Sequence, residues 1–126
     1  MEDEARILVV DREPMWRTFA AQVLGANGYI VHTSSDVNVA LKEIDRHNFE
    51  LIIVDALLDE LLKILASDYV RRRLLVVTVS PSVPEAILAY RYGALDYVGK
   101  AFDESKLLDS VVAALRKQPA RQAMLL

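Results

Sequence analysis

Five short apolar runs punctuate the chain, at residues 7–10, 29–32, 51–54, 74–79 and 97–98. Three of them consist almost entirely of Val, Ile and Leu with no polar alternation. A strand whose sheet is covered by helices on both faces reads this way, because neither face needs a polar residue. The stretches between the runs switch to helical spacing. Met15, Phe19 and Val23 fall four apart in a segment that opens at Pro14, a favoured first-turn residue, and closes at Asn27-Gly28. Val37, Ala40, Leu41 and Ile44 form a second apolar stripe, with Ser35 or Asp36 available to cap it. Pro84 opens a third helix that stops at Gly93, and Asp103 caps a last one that turns Leu107 or Leu108, Val111, Val112 and Leu115 inward. The connection from Leu57 to Tyr69 is apolar almost throughout and begins within two residues of Asp55, so it reads equally as a short helix or an irregular loop.

The pattern is five β–α units without repeats. It predicts an α/β, flavodoxin-like (βα)5 three-layer sandwich, with a parallel sheet in the order 2-1-3-4-5 and right-handed crossovers. Residues 1–117 are expected to form the domain and 118–126, around Pro119, a C-terminal tail. In that order strands one and three are neighbours, and ligands sit beyond their carboxyl ends. Asp11 ends the first strand and Asp55 the third, so two carboxylates should meet there. Thr78 closes the fourth strand and Lys100 follows the fifth. A carboxylate to attack, an ammonium to neutralise oxygen charge and a hydroxyl to donate a hydrogen bond are the parts needed to hold a phosphoryl group.

Residues 6–116 resemble the receiver domain of response regulators in two-component signalling. The resemblance is carried by Ile7-Leu8-Val9-Val10-Asp11-Arg12-Glu13-Pro14, Leu51-Ile52-Ile53-Val54-Asp55, Val77-Thr78, Gly93-Ala94 with Asp96-Tyr97, and Lys100-Ala101-Phe102. It implies that Asp55 is the phospho-acceptor, and that Asp11, Asp55 and the Leu57 carbonyl ligate Mg²⁺. It further implies that Thr78 and Lys100 contact the phosphoryl group, and that Tyr97 and Thr78 form the switch. The implied partners are a sensor histidine kinase or phosphotransfer protein, and a second copy bound through the fourth helix, fifth strand and fifth helix.

The departures from the family pattern fall on the chemistry. Arg12 stands where a second acid is usual, and a guanidinium offers a hard cation no lone pair. A swing of two charges about 5 Å from a divalent ion amounts to about 3 kcal/mol even at water's dielectric, enough to weaken Mg²⁺ at least about a hundredfold unless Glu13 substitutes. Ala101 replaces the usual proline, so the Lys100-Ala101 bond is expected trans. The third unit is also several residues short. An alternative therefore stands beside phosphorylation. In it Arg12 takes the metal's place, pairs with Asp11 or Asp55, and leaves a pseudo-receiver that acts as a protein-interaction module.

Composition narrows the remaining classes. A net charge of -3 with no cysteine gives no reason for nucleic-acid binding in this chain and excludes thiolate chemistry. The acidic start lacks the basic region of a signal peptide, no run is long enough to span a bilayer, and a cytoplasmic, non-enzymatic protein is expected. The absence of glycine after the first strand argues against a nucleotide or flavin there. A phospho-aspartate hydrolase, with Glu13 two residues after Asp11, is the weaker enzyme reading. His32 and His47 read as surface or packing residues, Arg71-Arg72-Arg73 as a solvated turn, and Trp16 as a partly buried packing residue. Output is expected through protein contacts or a domain outside the given sequence.

Overall fold

In the computed structural model, residues 4–68, 70 and 72–119 are described, and the five apolar runs become five parallel strands. The chain order is β1 (Arg6–Val10), α1 (Pro14–Ala26), β2 (Ile30–Ser34), α2 (Val37–Arg46), β3 (Leu51–Asp55), α3 (Asp59–Ala66), β4 (Leu74–Thr78), α4 (Val83–Arg91), β5 (Asp96–Gly99) and α5 (Glu104–Arg116). The sheet order is β2-β1-β3-β4-β5, as the alternation of elements predicted.

Strand composition follows position in that sheet. β3 and β4 are buried at every residue, whereas β2 and β5 at the edges are mostly half-buried and carry most of the strands' polar residues. Successive side chains alternate faces, so the core divides in two. Leu8, Val10, Ile52, Val54 and Val76 pack with Ala40 of α2, Leu61, Leu62 and Leu65 of α3 and Ala89 of α4. Ile7, Val9, Leu51, Ile53, Leu75 and Val77 pack with Trp16, Ala20 and Leu24 of α1 and Leu107 and Val111 of α5.

Helix ends match their signals closely. Asp36, Ser82 and Asp103 each accept a hydrogen bond from the amide three residues on. Gly28 and Gly93 take φ near +90° just past α1 and α4, a conformation that side chains resist. The buried stripe of α1 differs from expectation. Met15 is 75 % exposed, and Trp16 takes the inward position at 1 % exposure, with Ala20, Val23 and Leu24 below it. Spacing of four fits two neighbouring stripes, and the bulkier ring fills the gap above β4 and α5.

The third unit is a true helix. Leu58 donates its amide to the Asp55 carbonyl at 2.9 Å, a single tight turn that starts α3 at Asp59 without a loop. The helix is so apolar because it buries Leu61, Leu62, Leu65 and Ala66 on one side. After it, Arg72 pairs with Asp68 at 2.8 Å and Arg73 donates to the Lys117 carbonyl, so these two residues of the basic run are structural ties. Tyr69, Arg71, Met1 to Asp3 and the tail residues 120–126 lie outside the described residues. Among the described residues no helix is long and apolar enough to cross a membrane.

The fully buried Leu61 and the exposed Leu57 give α3 a direct test. Leu61→Ala is expected to destabilise by about 3 kcal/mol in urea unfolding. Leu57→Ala should stay within about 0.5 kcal/mol of the parent. Equal, small effects would show that α3 does not pack as described.

Candidate functional site

The carboxyl ends of the central strands deliver the site. Asp11 directly follows β1, and its amide donates to the Ser34 carbonyl at 2.9 Å. Asp55 and Thr78 are the last residues of β3 and β4. Lys100 follows β5, with its amide donating to the Thr78 carbonyl at 2.7 Å, so the ladder continues by one bond and aims the side chain inward. Asp11, Asp55 and Thr78 are all buried, and the Lys100 side chain is only 4 % exposed.

The ammonium of Lys100 joins the two aspartates. Its Nζ lies 3.0 Å from Asp11 Oδ1, 2.8 Å from Asp11 Oδ2 and 3.0 Å from Asp55 Oδ2, with Glu13 Oε2 at 3.5 Å. The same nitrogen stands 5.5 Å over the Trp16 ring, a distance suited to cation–π attraction. Backbone amides complete the carboxylates: Glu13 donates to Asp11 Oδ1 at 2.8 Å, and Leu57 to Asp55 Oδ1 at 3.0 Å. Thr78 Oγ accepts from the Ser80 amide at 3.2 Å, and its side chain also meets the Tyr97 hydroxyl, so the end of β4 is tied to that ring.

Electrostatics follow from three carboxylates around one ammonium. Burial raises the Asp11 pKa, although Lys100 and the Glu13 amide pull it down, and the Asp55 charge adds to the rise. Burial also opposes the Lys100 ammonium, but its hydrogen bonds to Asp11 and Asp55 outweigh that and its pKa is raised. The cluster is held together but is short of positive charge.

Arg12 does not make the pairing on which the pseudo-receiver alternative was based. It is exposed, and among the described residues both aspartates pair with Lys100 instead. The reason is geometric: the residue after Asp11 turns outward as the chain leaves β1, whereas Glu13 returns toward the site. The Lys100-Ala101 bond is trans, as expected without proline, and Lys100 reaches both acids from it.

The donor set suits a hard divalent cation. Asp11 Oδ2 lies close to Nζ but off the hydrogen-bond direction, so it is a buried carboxylate oxygen with no aligned donor. With Asp55 and Glu13 it supplies anionic oxygens around the Lys100 ammonium, and oxygen donors of this kind are what such an ion takes.

Tyr97 is half-buried against the α4 face of the core. Its hydroxyl donates to Glu85 Oε1 and accepts from the Ser82 amide at 3.1 Å. Burial first, and then the Glu85 carboxylate, raise its pKa. The ring is thereby tied to the start of α4, two residues of backbone from the site's Lys100 side.

A model of the response regulator receiver domain matches residues 7–112. The chain belongs to that family. Receiver domains are signalling modules that interact with histidine kinases or phosphotransfer proteins, and they generally bind Mg²⁺ at the phosphorylation site. Response regulator ArlR of Staphylococcus aureus is 28 % identical over 120 residues, covering 92 % of this chain and 55 % of the relative. The chain therefore spans about half the length of the curated relatives it matches. NtrX of Brucella abortus superposes with a TM-score of 0.81 at 29 % identity, over 90 % of this chain and 26 % of that one. A response regulator of Thermotoga maritima gives 0.83 at 20 % identity, over 91 % of this chain and all of that one, a likeness of fold.

One cluster escaped sequence reading. His32 of β2 and His47 after α2 read as unrelated surface residues, yet the fold brings their rings to 4.6 Å with Glu43 between them. The available signal was Glu43 and His47 one helical turn apart, beneath an edge-strand histidine.

The raised Asp11 pKa sets a pH prediction. Its folded value lies above its unfolded one, so the folded protein binds the extra proton and stability falls as pH rises from the ordinary carboxylate range. The deficit is complete once the pH exceeds the folded value. Asp11→Asn removes it and is expected to stabilise the protein by roughly 1 kcal/mol at pH 7. The gain should shrink toward pH 3 in thermal unfolding; a gain that stays constant with pH would contradict the assignment.

Proposed function

We propose that this receiver domain accepts a phosphoryl group on Asp55, at an Mg²⁺ site formed by Asp11, Asp55 and the Leu57 carbonyl and weakened by Arg12. The observation that carries the reading is the Lys100 ammonium within 3.0 Å of both buried aspartates, with Arg12 outside the cluster. An Asp55 oxygen attacks phosphorus, and the bond from phosphorus to the donor nitrogen of a phosphohistidine breaks, its electron pair leaving with the imidazole. Lys100 then follows the negative charge from the free carboxylates to the phosphoryl oxygens, and Thr78 donates its hydroxyl hydrogen to one of them. When bound, the metal ion supplies the positive charge that lets an anionic carboxylate meet an anionic phosphoryl group.

Thr78 and Tyr97 would transmit the change. A hydroxyl drawn toward the phosphoryl group alters the pocket beside Tyr97, whose hydroxyl is already shared between Glu85 and Ser82. Exposed Val83, Ile87 and Tyr90 on α4 support a homodimer through α4, β5 and α5 as the face that reads it. A second reading rests on a specific observation: the Lys100 ammonium bridges both acids. In that pseudo-receiver the bridge is the permanent state, and the domain signals through protein contacts alone.

Intact-mass measurement after incubation with a small phosphodonor separates the two. Rapid, Mg²⁺-dependent gain of one phosphate, abolished by Asp55→Asn, is expected and would sink the pseudo-receiver. No gain with or without Mg²⁺ would sink phosphorylation.

Arg12 sets the metal's affinity in this reading. Because it is exposed, its repulsion acts through solvent that screens over about 8 Å, so the expected penalty is nearer tenfold than the hundredfold of close approach. Arg12→Asp is expected to tighten Mg²⁺ about tenfold in a titration of Trp16 fluorescence, the ring being in contact range of the Lys100 ammonium. An unchanged titration would clear Arg12 of any role.

A further inference from the structure

We propose that His32, Glu43 and His47 form a second cation site, separate from the phosphorylation site, that takes a borderline divalent metal of the Zn²⁺ class. His32 Nδ1 lies 3.0 Å from Glu43 Oε2, and His47 Nε2 lies 3.7 Å from the same oxygen. One atom from each of the three residues falls within 4.8 Å of the others. Around a tetrahedral zinc with bonds of about 2.0–2.1 Å, neighbouring ligand atoms sit about 3.4 Å apart. The observed separations straddle that value, so a metal enters with small side-chain movements rather than a rebuilt backbone.

The scaffold is rigid where it needs to be. His32 is fixed in β2 opposite Leu8 of β1, while Glu43 and His47 stand one turn apart at the end of α2. Phe49 packs edge-on against both imidazoles, at 5.2 and 6.0 Å, and holds the rings together. α2 runs against the strands, so its end and these residues lie toward the amino ends of the sheet, away from Asp55. Two nitrogens and one carboxylate favour zinc, nickel or copper over Mg²⁺, and the part-exposed ligands leave a fourth position to water.

The metal-free state stores a proton that binding must move. Arg6 Nη1 sits 2.7 Å from His32 Nε2. A guanidinium only donates, so Nε2 accepts and the ring proton is on Nδ1, donated to Glu43. The Glu43 pKa is lowered chiefly by that bond, which keeps a ligand carboxylate ionised. Metal binding at Nδ1 shifts the proton to Nε2, the ring stays neutral, and Arg6 turns away. Arg6 therefore opposes the metal.

The full chain titrated with Zn²⁺ tests this, by calorimetry and by NMR of the imidazole C–H signals. The chain has only two histidines, so those signals report this cluster and are blind to zinc held by Asp11, Glu13 and Asp55. Expected is one zinc per chain that shifts both histidines, with a raised Tm. His47→Ala, at a partly exposed position that circular dichroism can confirm as folded, should weaken binding at least about tenfold. Arg6→Gln, which places an acceptor near Nε2, should tighten it. Unmoved histidine signals, or undiminished zinc binding in His47→Ala, overturn the site. Unchanged affinity in Arg6→Gln overturns the opposing role of Arg6.

Discussion

The bridge from Lys100 to Asp11 and Asp55 is the constraint around which the domain is arranged. Two carboxylates and an ammonium buried this deeply each lose several kcal/mol of hydration, and only close mutual contact recovers it. That contact needs three separate strands to end at the same height. The register supplies this: Val10 pairs with Val54, Asp55 with Val77 and Thr78 with Gly99, so residues one step beyond the ladder converge. The apolar strands are thus more than filler. Their burial on both faces fixes the plane in which the charges meet, and losing Lys100 would leave two like charges facing each other in a dry crevice.

The same arrangement explains why the chain tolerates Arg12. A residue's effect on a buried cation depends on where its side chain stands, and neighbouring positions after β1 point in opposite directions. Arg12 faces solvent, and its charge is diluted there. Glu13 lies 3.5 Å from Lys100 Nζ, closer to the cluster than its half-exposed position would suggest. An acid displaced by one residue keeps the site negative in sum, although its longer side chain holds an oxygen less firmly than an aspartate on the strand end. In the proposed reading, the change therefore lowers metal affinity rather than abolishing the site.

The element order, the sheet order and the meeting of Asp11, Asp55, Thr78 and Lys100 were all legible in the residues, because burial on both faces and strand-end position leave a periodic mark. What was not legible depended on side-chain direction or on distant pairing. Met15 and Trp16 are adjacent, and only packing against β4 and α5 decides which turns inward. Arg12 carried an obvious charge but no mark of its exposure. α3 was ambiguous because it is only eight residues long and its exposed side, Asp59, Glu60, Lys63 and Ile64, carries an apolar residue among the charges. His32 and His47 lie on different elements, and the one-turn spacing of Glu43 and His47 does not announce that a residue of β2 joins them.

Tyr97 and α3 frame the site from opposite sides, and the contrast bears on how a signal could leave it. On the β3 side the connection is a single β-turn, with Leu58 bonded back to the Asp55 carbonyl and α3 packed into the core behind it. A segment so tied has little freedom to answer a change at Asp55. On the β5 side Tyr97 is only half-buried, and its hydroxyl hangs between Glu85 and Ser82 at the less buried start of α4. Movement takes the direction of least packing. In the proposed reading, the short third unit leaves the α4–β5 face as the more loosely packed side of the site.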